Sequence, residues 1–232
     1  MEKVIYLMAF DGAAPTGLGD QLRTDLAPRL IDQGAHRVSV NVADDDVVPA
    51  ANLRMVFSPP AADALVSVWI DSAVDHLRLP FDVAVSSVGG GVAAYLVTES
   101  VPMPNTRFPA ALGERVPGMA QVAFLQRPAS QSVDEWLDIW LNSHTVIAQD
   151  LQDTFSYVQN VVARVLTPGA EPWNAIVEEC FPAGAMTDPH VFYDAVGDDD
   201  RLARHQREMF ESVERFIDLS KINVVPTSRY DL

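Results

Sequence analysis

His144 and Tyr157 are the two residues of this chain whose types best suit proton transfer. A histidine changes its protonation state near neutral pH and can act as a general base. A tyrosine hydroxyl can polarise a substrate oxygen. Gln159 follows Tyr157 at the spacing that places both side chains on one face of a strand. Together they predict a site that moves protons on an aromatic or enolisable compound, with His144 as the base and Tyr157 at the oxygen.

The first element that must position this site is a helix predicted over residues 132–149. Ser132 and Glu135 have the spacing of a capping box, in which each side chain accepts a hydrogen bond from the other residue's backbone amide. At about 100° per residue, His144 lies in the middle of an apolar stripe that consists of Val133, Trp136, Leu137, Trp140, Ile147 and Leu151. A histidine in such a stripe also suits a structural role, since a buried imidazole needs only a hydrogen-bond partner. Both alternatives stay open at this stage.

The second element is a strand predicted over residues 155–166. Tyr157 and Gln159 lie on one face of this strand and Asn160 lies on the other. Where the Tyr157 face meets the end of the helix, His144, Tyr157 and Gln159 would surround one apolar cavity. We expect a hydrophobic small molecule to bind there against Trp136, Trp140, Phe155, Gln159 and Asn160.

Other patterns are weaker indications of a site. A glycine pair near the N-terminus has the spacing of a phosphate-binding loop, but leucine and glycine stand where lysine and serine or threonine are required. Asp188, His190 and Asp194 could ligate a metal, but polar loops of this kind are usually only solvated, so we predict no metal site. Cys180 lies in an apolar strand and is expected to be buried and inert.

The composition restricts the class of partner. The chain has 232 residues, a formal net charge of −16 and a pI near 4.5. Such acidity is unsuited to nucleic acids and to anionic membranes, because both are negatively charged. The single cysteine excludes an internal disulfide and a cysteine-based zinc site. The apolar N-terminus has no basic region, and glycines interrupt the longest uncharged stretch, so we expect a soluble, cytoplasmic protein.

The predicted elements have the same order in both halves of the chain, β-α-β-β-α-β, which is the ferredoxin-like arrangement. The predicted strands are 3–10, 36–42, 63–70, 92–98, 120–127, 155–166, 174–181 and an extended piece at 215–225. A proline-rich segment at 101–117 is predicted to be the linker, which gives halves 1–115 and 116–232. Each half leaves one sheet face open, so we expect an α+β fold in which duplicated ferredoxin-like halves form an α+β barrel.

The residues around His144 resemble the EthD-like family of dimeric α+β barrel proteins. The resemblance covers residues 119–166, and its motifs are Phe124–Pro128, Asp134–Trp136, Trp140–His144 and Tyr157–Asn160. It implies a ferredoxin-like unit built into a barrel by dimerisation or by internal duplication, with a hydrophobic cavity against the sheet. It also implies that His144 takes the position of the family's helix histidine, and that Tyr157, Gln159 and Asn160 take those of its polar strand residues. The long N-terminal half departs from the usual single-domain form.

Proteins of this family include some associated with ether catabolism and others that decarboxylate or dehydrate polyketide-like aromatics without a metal or organic cofactor. The resemblance implies a cofactor-free lyase, isomerase or monooxygenase-like enzyme that acts on a hydrophobic or aromatic metabolite, and it implies a homodimer. The alternative is a non-catalytic ligand-binding or accessory protein of a catabolic pathway. One property separates the two, because a catalytic His144 must face a cavity that solvent can reach.

Overall fold

The structure is a computed structural model that describes residues 1–232. Its first half contains the strands β1 (Glu2–Ala9), β2 (Arg37–Val42), β3 (Met55–Val56), β4 (Ala64–Ile70) and β5 (Gly91–Met103). Helix α1 runs through three consecutive segments, of which the middle one is π-helical: Leu18–Gln21, Leu22–Leu26 and Ala27–Asp32. A 3-10 helix at Asp45–Leu53 and helix α2 (Asp75–Ser86) complete this half.

The second half contains the strands β6 (Met119–Leu125), β7 (Ser156–Val165), β8 (Ala175–Phe181) and β9 (Asn223–Asp231). Helix α3 also has a π-helical middle segment, in the order Val133–Leu137, Asp138–His144 and Thr145–Leu151. The predicted capping box is present, because Ser132 and Glu135 each accept from the other's backbone amide. Short helix α4 (Pro189–Phe192) and long helix α5 (Asp199–Glu214) follow, with 3-10 turns at Ala183–Met186 and Leu219–Lys221.

Eight antiparallel strands close into one barrel within a single chain. Their order is β2-β4-β1-β5-β7-β8-β6-β9, and β9 pairs back with β2. Each half contributes four neighbouring strands, and the halves join where β5 pairs with β7 and β9 pairs with β2. Strand β3 occupies the part of the β9 edge that β2 leaves free. The chain therefore does not need a second copy to complete its barrel.

Alternate residues of each strand face the barrel interior or the helices outside it, as the two-residue period of a strand requires. In β1, Ile5 and Leu7 lie in the interior, whereas Tyr6 and Met8 pack against α1 and α2. In β6, Phe124 lies in the interior, whereas Ala123 belongs to a cluster that includes residues of α3 and α5. The molecule therefore has two places for a cavity: inside the barrel, and between the sheet and its helices.

One end of the barrel interior is charged. The Lys3 Nζ lies 3.2 Å from Glu178 and 3.5 Å from Glu99, and Arg229 lies 3.4 Å from Glu178. Burial opposes the ionisation of Glu178, but the charges of Lys3 and Arg229 outweigh it and hold the pKa of this carboxyl below its ordinary value. Glu178 is therefore an ionised, paired carboxylate inside the barrel.

Two predicted boundaries are wrong, and both concern strands with polar residues. β5 continues to Met103, into the predicted linker, because its polar residues pair across the junction with β7, as in the Glu99–Asn160 pair. The predicted extended piece at 215–225 begins too early, since β9 spans Asn223–Asp231. The last residues of β9 are mostly polar, and their sequence does not predict a strand. In the structure Thr227 and Arg229 are buried, and they hydrogen-bond Asn41 and Glu178 respectively.

No helix of this fold is both long enough and apolar enough to cross a lipid bilayer.

Candidate functional site

A cavity of about 240 Å³ lies between the outer face of β6–β9 and the helices α3 and α5. We call it the sheet–helix cavity. Most of its walls are apolar, and its polar lining residues are Gln121, His144, Gln152, Glu179 and the two tyrosines Tyr157 and Tyr193. Met55, which is 37% exposed, also lines it. The cavity therefore combines an apolar interior with a few polar groups, which is typical of small-molecule sites.

The π-helical segment of α3 brings Trp140 and His144 to this cavity. In a π turn the carbonyl oxygen of residue i accepts from the amide of residue i+5 instead of i+4. The carbonyl oxygen of Trp140 accepts in this way from the Thr145 amide, and it also accepts from the Thr145 hydroxyl at 2.8 Å. Gln159 Nε2 in turn donates to Thr145 Oγ1 at 2.6 Å, which ties the helix to β7. This local network fixes the positions of the two cavity-lining side chains.

His144 is buried, at 7% exposure, and borders the cavity. Its Nδ1 lies 2.9 Å from Ser212 Oγ, and its ring packs on Phe216 with centroids 4.5 Å apart. Ser212 Oγ also accepts from Arg215 Nη2 at 3.0 Å, so it connects the imidazole to the guanidinium. Burial, helped by the charge of Arg215, lowers the pKa of His144 to about 4. The imidazole is neutral at pH 7 and is a weak base.

Tyr157 lies on β7 and is 1% exposed. Its hydroxyl oxygen accepts from Trp140 Nε1 at 3.4 Å. Burial, with a smaller contribution from the charge of Glu179, raises the pKa of this phenol far above its ordinary value. Tyr157 therefore stays protonated, and it can donate a hydrogen bond to a ligand in the cavity.

Glu179 is the residue of the cavity that sequence reasoning missed. It lies on β8 directly opposite Tyr157 on β7 and opposite Gln121 on β6. It is 9% exposed, and its carboxyl group has no hydrogen-bond or ion-pair partner in the protein. Burial raises the pKa of this carboxyl to about 7. One sequence signal could have revealed it, because the pair Glu178-Glu179 interrupts an apolar strand and must direct one carboxyl to each face.

The predicted site residues separate into two groups in the structure. His144, Tyr157 and Trp140 line the sheet–helix cavity. The other four have different surroundings. Trp136 donates from Nε1 to the carbonyl oxygen of Phe216 at 2.8 Å, and Gln159 contacts Thr145 as described above. Phe155 packs against Phe108, with ring centroids 4.8 Å apart.

Asn160 lies inside the barrel, on the far side of the sheet from the cavity. Its Nδ2 donates to Glu178 Oε1 at 3.2 Å and to the carbonyl oxygen of Ile176 at 3.0 Å. This position follows from the strand alternation that already separated Asn160 from Tyr157 in the sequence. Asn160 supports the charged end of the barrel interior.

The weaker sequence patterns have local roles. Asp188 caps α4 by accepting from the backbone amide of His190, and Asp194 pairs with Arg201. His190 Nε2 lies 2.9 Å from Asp199. Cys180 is 1% exposed, and burial raises the pKa of its thiol to about 12, so the thiol is protonated and unreactive at neutral pH.

No protein-family model and no curated protein matches this chain. Solved structures do match in fold. An anthrone oxidase-like protein superposes with a TM-score of 0.58 at 12% identity, over 100% of this chain and 91% of that one. A "putative monooxygenase" from Lactobacillus acidophilus NCFM superposes with a TM-score of 0.50 at 8% identity, over 98% of this chain and 93% of that one. The likeness extends over nearly the whole of each chain, so this protein shares their α+β barrel fold.

Proposed function

We propose that this protein is a cofactor-free enzyme that binds a compact hydrophobic or aromatic compound in the sheet–helix cavity and removes a proton from it. The observation that carries this proposal is the carboxyl group of Glu179. It is buried among apolar side chains without a partner, and its pKa is raised to about 7. A base with a pKa near the working pH is the most effective kind, and such shifts cluster at catalytic sites.

Three of the polar residues that line the cavity have complementary roles in this proposal. Glu179 is the general base. Tyr157 donates its hydroxyl hydrogen to the substrate oxygen on which negative charge develops. His144, whose pKa is about 4, is too weak a base at neutral pH, so we assign it to binding and orientation of the substrate through its second ring nitrogen, Nε2. This assignment moves the role of base from His144, where the sequence suggested it, to Glu179.

The walls favour a flat, apolar substrate. Trp140, Phe216 and Tyr193 contribute aromatic surfaces, and aliphatic residues such as Val177 and Val224 fill the sheet side. At about 240 Å³ the cavity is smaller than the roughly 300–1,000 Å³ of typical ligand sites, so the substrate should be compact. A protonated Glu179 would also hydrogen-bond a carbonyl or phenol oxygen.

The names of the structural neighbours suggest a first substrate to test. An anthrone has an acidic C–H opposite its carbonyl. Its conversion to a quinone with dioxygen is balanced as one anthrone plus one O₂ giving one anthraquinone plus one H₂O. In this protein, Glu179 would take the C–H proton, and Tyr157 would stabilise the resulting enolate oxygen. The carbanion form would then react with dioxygen, which is the oxidant, without a metal or organic cofactor.

The experiment compares wild type with Glu179→Gln, and uses Glu211→Gln on the exposed surface of α5 as the control. Quinone formation is followed by absorbance and dioxygen uptake by an electrode, across pH 5–9. We expect the wild-type kcat/KM to rise through an apparent pKa near 7, the control to match it, and Glu179→Gln to lose about 10²–10⁴-fold. Tight binding of aromatic compounds without turnover of anthrones or other enolisable aromatics would instead favour the non-catalytic ligand-binding alternative.

We also propose that residues 1–115 and 116–232 are duplicated ferredoxin-like halves. The strand orders support this, since β5-β1-β4-β2 of the first half corresponds to β9-β6-β8-β7 of the second. Both halves also place a π-helical turn in their first helix. Because one chain closes the barrel, a homodimer is not required for closure, and the predicted homodimer stays a prediction that light scattering in solution can test.

A further inference from the structure

A second cavity opens at the end of the barrel opposite to its charged network, and we call it the barrel-mouth pocket. Its volume is about 430 Å³, which falls within the range of about 300–1,000 Å³ typical of small-molecule sites. It shares no lining residue with the sheet–helix cavity. Leu7, Ala9, Tyr95 and Trp173 line it and belong to the apolar interior of the barrel. The pocket therefore has an apolar inner wall, and the proposed reaction does not use it.

Small residues create the space in this pocket. Ala9, Gly91, Ala93 and Ala170 line it between the larger side chains. The glycine turn before β5 contributes to its shape, because a Cβ at Gly90 would lie only 2.8 Å from the carbonyl oxygen of Ala9. This close approach of two backbones, rather than a phosphate site, accounts for the glycines there.

The charged groups of the pocket all have the same sign. Asp11 and Glu171 line it, and no lysine, arginine or histidine does. The Asp11 carboxylate has no partner in the protein, whereas Glu171 also accepts from Gln126. The aromatic residues Phe10, Tyr95 and Trp173 line the same pocket. Carboxylates and aromatic rings together attract organic cations, through charge and through cation–π contacts.

We propose that the barrel-mouth pocket binds a small organic amine, with its apolar body against Trp173 and Leu7 and its ammonium group beside Asp11 and Glu171. This site is separate from the proposed proton-transfer site, and the proposal does not depend on that reaction.

The test measures binding of 2-phenylethylamine by calorimetry and compares it with neutral 2-phenylethanol and anionic 3-phenylpropionate. We expect the amine to bind more tightly than the alcohol, the acid to bind least, and the preference for the amine to weaken as salt is raised. Asp11→Asn should weaken amine binding about three- to fivefold, the range for an exposed charge pair. Ala170→Phe, which places a ring in the pocket from a loop, should reduce binding of the amine and the alcohol alike.

Two controls locate the binding site. Asp138→Asn on the exposed face of α3 changes the net charge by the same amount as Asp11→Asn, and it should leave the affinity unchanged. Glu179→Gln should also leave it unchanged. The proposal is overturned if no probe binds, if amine and alcohol bind equally, if Asp138→Asn weakens binding as much as Asp11→Asn, or if Glu179→Gln abolishes it. The last result would place the amine in the sheet–helix cavity.

Discussion

Replacing Glu179 by glutamine should make the protein more stable at pH 8 and leave its stability nearly unchanged at pH 4. Burial raises the pKa of this carboxyl from 4.5 to about 7. At pH values between 4.5 and about 7, Glu179 is ionised in the unfolded chain and protonated in the native protein. Because ionisation then favours the unfolded state, the native protein loses stability as pH rises through this window. Glutamine has a similar shape and carries no charge at any pH.

The size of the effect follows from the shift. Each pKa unit corresponds to about 1.4 kcal/mol, so a rise from 4.5 to about 7 costs roughly 3 kcal/mol above pH 7. We expect the difference in free energy of unfolding between Glu179→Gln and wild type to change by about this amount between pH 4 and pH 8, in favour of the variant. Urea denaturation at closely spaced pH values measures it, and the difference between the two proteins cancels the titration of all other groups.

The neighbouring residue provides a control of opposite sign. The pKa of Glu178 is held below its ordinary value by Lys3 and Arg229 despite burial, so its ionised form stabilises the native state above the unfolded pKa near 4.5. Glu178→Gln should cost about 3–5 kcal/mol at pH 7, with a smaller loss as pH falls below 4.5. Two results would refute the assignment of a buried, unpaired carboxyl to the cavity. One is a difference in free energy of unfolding between Glu179→Gln and wild type that does not change with pH. The other is a loss of stability in Glu179→Gln that grows as pH rises, as we expect for Glu178→Gln.

Three further variants test separate parts of the structure. Tyr157→Phe removes only the hydroxyl that accepts from Trp140, so we expect a stability loss of about 1 kcal/mol in denaturation and a 10²–10³-fold loss of kcat/KM on any accepted substrate. Lys3→Met leaves Glu178 and Glu99 without their shared cation, and chemical denaturation should show a loss of about 3–5 kcal/mol. Gly118→Ala places a Cβ 2.0 Å from the carbonyl oxygen of Phe181, so its melting temperature should fall far more than that of Gly113→Ala, which has a similar positive φ but open space around it.

The sequence predicted the elements well where their apolar period was regular. The helix that carries His144 has its predicted cap, and Tyr157 and Gln159 share the helix-facing side of β7 as the strand period requires. Three of the proposed site residues, His144, Tyr157 and Trp140, line one cavity. Local patterns identify these features because capping and alternation act between residues that are close in the chain.

The features that could not be predicted depend on contacts between distant segments. The burial of Thr227 and Arg229 in β9 requires partners on β2 and β8, which no local pattern shows. Glu179 has an unusual pKa only because α3 and α5 cover it, and a glutamate in a strand gives no sign of such a cover. Phe155 was expected in the cavity as the first residue of the strand predicted over 155–166, but β7 begins at Ser156 and Phe155 packs with Phe108 instead.

The two halves present different side chains to their helices, and this difference explains why only one of them has the proposed site. In the first half, β2 directs Val38, Val40 and Val42 toward α1, and a cluster of 22 buried residues fills the space. In the second half, β7, which follows α3 as β2 follows α1, presents Tyr157 and Gln159, and the apolar cluster has 13 buried residues. A buried, unpaired Glu179 costs stability, so a fold that contains it needs a surplus of apolar packing elsewhere. In the closed barrel, strand pairing joins the half with the cavity to the filled half, whose apolar packing offsets the cost of Glu179.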